Sequence, residues 1–161
     1  MISAPLETLF DYSDHERRKW KAWLAQDSAR LSIPCQPEGR FPTIGAVLDH
    51  LFLVERRHMS RLQGATPPEA SGIAAGDLHA LFEYGDLVRA DLRAYLADLD
   101  EPRAQQPVTI AAQSGTRTMT PLRLLTHIVL HETRHLAQVA LAARLSGAAP
   151  PGQHDFFYFE G

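Results

Sequence analysis

Four stretches of this chain carry apolar residues at roughly helical intervals, and punctuated segments separate them. Leu6, Leu9, Phe10, His15, Trp20, Trp23 and Leu24 follow such a pattern behind Pro5, which suits a first turn, so a helix is expected over about 5–31. Three prolines and a glycine between Ile33 and Pro42 then read as a linker. Thr43 is a plausible cap for a second helix over about 43–62, ended by Gly64. Two prolines and two glycines within 65–76 mark a loop. Asp77 can cap a third helix over about 77–99, with Leu78, Leu81, Phe82, Leu87, Val88, Leu92 and Leu96 as its apolar positions and Glu101-Pro102 as its stop. Two short β-prone runs flank Ser114-Gly115, which predicts a hairpin over 107–119. Thr120-Pro121 opens a last helix over about 121–146. The fold class that follows is all-α: one domain over 1–161, a four-helix bundle with a short β-hairpin before the last helix. The tail 153–161 holds Phe156, Phe157, Tyr158 and Phe159 and is expected to pack on the bundle or on a partner chain.

The last helix departs from a plain apolar pattern. His127, His131 and His135 recur every four residues, so each is displaced only about 40° from the one before. They form a stripe on a helix that is otherwise apolar on nearly every face. Buried polar groups are costly when unpaired, and a metal ion is the partner that best fits imidazoles at this spacing. A hydrogen-bonded polar core is the plainer alternative.

The second helix contains His50, Glu55 and His58. Glu55 and His58 fall near the centre of its apolar face and His50 on the flank, so pattern alone leaves two metal readings open. In one, His50 joins His131 and His135, and three neutral imidazoles leave a side open for water or for an anionic nucleophile. His127 then stands behind the ligands. In the other, Glu55-x-x-His58 and Glu132-x-x-His135 build a ferritin-like di-iron site, with Glu16 and Glu83 as the single carboxylates. Glu16 counts against it, because the charge run 14–19 reads as a solvated helix face. Catalytic candidates beyond the ligands are Glu55, His58 and Arg134, the last placed to meet an anionic substrate group. His15 can line the site from the first helix, and His79 and His154 read as surface residues. Trp20 and Trp23 read as core.

Composition narrows the function classes. The chain has 161 residues and a net charge of −3, with no Arg/Lys block, so nucleic-acid binding is not expected. No long apolar run marks a membrane span, and the first residues do not read as a signal peptide. Cys35 is the only cysteine, so no disulfide can form within the chain and a cytoplasmic location is the expectation. Cys35 reads as an idle loop thiol.

The stretch Gly45-Ala-Val-Leu-Asp-His50-Leu-Phe-Leu-Val-Glu55-Arg-Arg-His58-Met-Ser-Arg61-Leu62 resembles the second-helix signature of DinB-like proteins, in which a histidine precedes an acidic residue by five. Leu125-Thr-His127-Ile-Val-Leu-His131-Glu-Thr-Arg-His135-Leu-Ala-Gln138 resembles their last-helix signature. Leu130, Arg134, Leu136 and Ala137 depart from the usual pattern, while the ligand pair is kept. The resemblance implies a four-helix bundle with an unusual helix order, a homodimer, and one divalent metal, zinc or nickel, on His50, His131 and His135. It also implies a small-molecule substrate, with a low-molecular-weight thiol as cosubstrate in some relatives. The expected activity is a metal-dependent hydrolase or thiol S-transferase. A non-catalytic, metal- or ligand-binding dimeric bundle is the alternative.

Overall fold

The computed structural model describes residues 5–36, 38–112 and 115–160. Four long helices carry the fold: α1 (Leu6–Gln26), α2 (Ile44–Leu62), α3 (Leu78–Ala97) and, after a short α4 (Glu101–Gln105), α5 (Pro121–Leu145). Strands β1 (Val108–Ala112) and β2 (Gly115–Met119) pair antiparallel just before α5, with Val108 opposite Met119 and Ala112 opposite Gly115. Gly115 takes a φ of 103° at the turn, a conformation natural to glycine. The expected turn partner Ser114 lies outside the described residues.

The caps explain where the helices start. Thr43 accepts a hydrogen bond from the Ala46 amide, Asp77 from that of Ala80 and Thr120 from that of Arg123. Two boundaries differ from expectation. α1 ends at Gln26 rather than near residue 31, because Asp27 is extended and its carboxylate caps a separate 3-10 turn over Ser28–Ser32. After α3, Asp100 caps the additional helix α4, whose Pro102 sits in the first turn. The proline that ends one helix thus also suits the start of the next.

α2 packs against α3 and α5, and α1 packs against the same two helices. The consecutive helices α1 and α2 therefore stand at opposite corners. At the α2–α3 seam a Cβ on Gly85 would lie 2.9 Å from the Phe52 ring, so only glycine lets the two helices approach this closely. The core has two apolar clusters. One gathers Trp20, Trp23, Leu48, Leu51, Phe52, Phe82 and Val139, and the other Phe10, Met59, Leu92, Leu125, Ile128 and Val129. The tail folds back on the bundle, where Phe156 and Phe159 pack edge-on against Tyr12. No described helix is long and apolar enough to cross a membrane.

Candidate metal centre

His50 enters the bundle from α2, and His131 and His135 from adjacent turns of α5. One ring nitrogen from each lies within 4.8 Å of the other two. The Nε2 atoms of His131 and His135 are 3.1 Å apart. Two Zn–N bonds of ordinary length at a tetrahedral angle separate their nitrogens by about 3.4 Å, so this spacing suits a shared ion. His135 is 4% exposed, His131 9%, and His50 is half-buried.

The electrostatics keep these rings neutral. Burial, then His135 and Arg40, push His50 down to about 4. Burial, then His135 and His50, push His131 down to about 3. Burial also lowers His135, against a hydrogen bond that favours its charge. That bond runs from His135 Nδ1 to Gln138 Oε1, at 2.7 Å. With the proton on Nδ1, the Nε2 lone pair of His135 faces the other two histidines. Neutral, desolvated imidazoles with converging lone pairs are a donor set that fits a divalent ion.

The linker before α2 supplies a wall that its sequence did not announce. Pro34 and Thr43 form an isolated bridge, and the Cys35 amide donates to the Pro42 carbonyl. This closes the loop and places the Phe41 ring 4.2 Å from His50 and 5.6 Å from His135. Cys35 lies nearby, with Sγ 3.9 Å from the Gln138 carbonyl. Burial pushes its thiol up, so it stays protonated, in keeping with an idle role.

His127 is exposed, one turn before His131, and stands outside the trio. Its ring is 5.6 Å from that of His131 and 5.3 Å from that of His58. Burial, then Arg61 and His127, push His58 down to about 3. His58 and His127 line a cavity of about 330 Å³ beneath the hairpin. Arg134 is exposed on α5; its charge disfavours protonation of His50, His127, His131 and His135.

The carboxylates of the di-iron alternative have other partners. Glu55 and Glu132 meet at the centre of the bundle, each 1% exposed, but two arginines lie between them. Arg17 of α1 donates from Nε to Glu132 (2.5 Å) and from Nη2 to Glu55. Arg89 of α3 donates from Nε to Glu55 (2.8 Å) and from Nη2 to Glu132 (2.7 Å). Ser13 adds a bond to Glu132 at 2.6 Å. Glu16 binds Lys19 and His154 instead, and Glu83 is exposed beside His79. His58 turns away from Glu55 toward Arg61 and His127. Guanidinium groups thus occupy the place where a di-metal site needs ions. Among the described residues, His50, His131 and His135 are the one group of three with metal-ligand spacing.

Three further expectations are corrected by the same contacts. The run 14–19 is not a solvated face, because Glu16 and Arg17 turn inward and are 4% and 7% exposed. His154 is no surface residue: its ring stacks 5.1 Å from that of Trp20, and Nδ1 meets Glu16 Oε2. His15 faces Phe159 of the tail rather than the cluster. Arg17, Arg89, Gln138 and Phe41 had no assigned role in the sequence. Gln138 alone had a local signal, three residues after His135 and on the same face.

The sequence profile of the DinB family matches residues 1–160. No curated protein matches the chain.

Proposed function

The chain belongs to the DinB family, and from that premise we propose that it is a divalent-metal-dependent enzyme whose ligands are His50, His131 and His135. The observation that carries this reading is the convergence of three neutral imidazoles within 4.8 Å. A zinc or nickel ion held there would supply Lewis acidity and an open side at which a water or a low-molecular-weight thiol becomes nucleophilic near neutral pH. Hydrolysis and thiol transfer are the two reaction classes that this chemistry serves.

The surrounding residues have separable tasks in this account. Gln138 fixes the His135 tautomer and ring orientation, the usual duty of a group behind a metal ligand. Phe41 walls off the His50 side and excludes water there. Glu55 is a poor general base, since both of its oxygens are engaged by arginines. His127, whose ring lies beside that of His131, is the side chain next to the cluster able to accept a proton; His58, pushed down to about 3 mainly by burial, is the weaker base. A cytoplasmic, homodimeric protein is part of the same reading.

A second reading is a non-catalytic dimeric bundle, and the dimer that both readings share has one observation behind it. Leu130, Leu141 and Leu145 are exposed along α5, at 63%, 56% and 81%. The two readings separate in an assay of the zinc- and nickel-loaded protein with activated esters and with thiol plus an electrophile. Turnover that disappears in His50→Ala, with the fold retained, supports the enzyme. Metal binding without turnover of either substrate class favours the bundle.

A further inference from the structure

The cavity beneath the hairpin has a composition that the metal ligands do not explain. α2 contributes His58 and Arg61, β1 Ile110, β2 Arg117 and Met119, and α5 Arg123, Leu124 and His127. Three of these side chains are guanidinium groups, and none of the described lining residues is a carboxylate. The floor is apolar, with Ile110 6% and Leu124 1% exposed. Arg61 Nη1 lies 3.2 Å from His58 Nδ1, so the guanidinium is tied to the cavity wall. Burial and neighbouring Arg57 both disfavour the Arg61 charge. Guanidinium groups around a concave, largely apolar space suit a carboxylate on a hydrocarbon stem, because the planar fork matches the two oxygens. His127 lines this cavity and also touches the His131 ring, so the cavity adjoins the three-histidine cluster.

We propose that this cavity binds the anionic end of the substrate, a small organic carboxylate with an apolar stem, whose other end reaches the three-histidine cluster past His127. The anion site stands on the cavity alone; the reach to the cluster rests on the metal reading above. The substrate is thereby bipolar, with a carboxylate gripped by Arg61, Arg117 and Arg123 and a reactive group held about one helical turn away.

Two measurements on the full chain test the halves separately. In metal-free protein, octanoate, octanamide and inorganic phosphate are titrated by calorimetry. Octanoate is expected to bind roughly tenfold more tightly than octanamide, the weight of one charge-assisted contact. It should also bind more tightly than phosphate, which lacks the stem. Arg117→Gln/Arg123→Gln, two exposed positions whose change leaves the core intact, should bring octanoate down to the octanamide level. Equal affinity for octanoate and octanamide, phosphate binding as tightly as octanoate, or no loss in the double variant overturns the anion site. In cobalt-loaded protein, mercaptohexanoate and mercaptohexanol are compared by the thiolate-to-cobalt charge-transfer band. The carboxylate compound should saturate at a roughly tenfold lower concentration, and the double variant should abolish that difference. Equal saturation overturns the reach between the sites. Failure of cobalt to bind overturns the metal reading and the reach together, while the octanoate comparison still decides the anion site.

Discussion

Two polar regions sit within the bundle on neighbouring residues of α5, and they have opposite needs. Glu132 belongs to a layer in which each long helix gives one charged side chain: Arg17, Glu55, Arg89 and Glu132. Two cations face two anions, and Arg89 also meets Asp14 at 3.0 Å, so each charge of the layer has a counterpart within the protein. Arg17 also stacks over Phe52 and Arg89 over Phe10, which ties the layer to both apolar clusters. One residue away, His131 belongs to a cluster of three neutral rings whose nitrogens converge. The first region is complete in the folded chain. The second has lone pairs that converge, and on the reading proposed above a cation would complete it. A buried ionisable group therefore does not by itself mark a functional site; what matters is whether the protein supplies its counterpart.

The sharpest way to break this contrast is to remove one member of each region. Glu132→Ala leaves two buried guanidinium groups short of a carboxylate and should cost about 3–5 kcal/mol in metal-free urea denaturation. His135→Ala removes a neutral ring and should cost clearly less under the same conditions. An equal cost would mean that the histidine cluster is structural as well. The next effect is linkage. Zinc at a hundredfold excess over its dissociation constant should stabilise the wild type by about 2.7 kcal/mol and His135→Ala hardly at all. Thermal denaturation with and without the ion reads this directly.

A smaller effect belongs to Gln138. Gln138→Leu removes the acceptor that orients His135 and should weaken metal binding about 10–100-fold, as such supporting groups do elsewhere. A competition titration with a chelating dye measures it; unchanged affinity would remove the orienting role. The smallest effect is the separation of the two regions by pH. In the metal-free fold His50 and His131 lie at about 4 and about 3, below an ordinary 6.5. The unfolded chain therefore binds more protons in this interval, and stability falls as pH drops from about 6.5 toward those values. Glu132 is held well below its ordinary 4.5, first by Arg17 and then by Arg89, against the burial that favours its neutral form. Its contribution is present above that value and is lost only at lower pH. His50→Gln/His131→Gln should flatten the upper limb of a stability–pH curve and Glu132→Gln the lower limb. His58, pushed down to about 3, keeps some slope in the upper limb of the histidine variant.

The sequence carried the three-histidine cluster because its signal is local. His131 and His135 are one turn apart on one helix, so their proximity follows from helical geometry alone. His50 needed the family resemblance, since on its own helix it lies on the flank of the apolar face. The helix caps at Thr43, Asp77 and Thr120 were legible for the same local reason. Arg17 and Arg89 were not, because a charged residue on a helix looks solvated until another helix brings its counterion. The diagonal placement of α1 and α2 brings Arg17 to Glu55, 38 positions along the chain. Phe41 was hidden differently: prolines marked its segment as a linker, and only the closed loop turns the ring onto His50. His154 was missed because a tail carries no periodicity from which its packing on Trp20 follows.

The most direct test of the central claim is elemental analysis of untagged protein after equilibration with zinc or nickel, together with His50→Ala, His131→Ala and His135→Ala. The account predicts one tightly held divalent ion per chain in the wild type and its loss in each variant. Full metal content in all three variants, or no bound ion in the wild type, contradicts it.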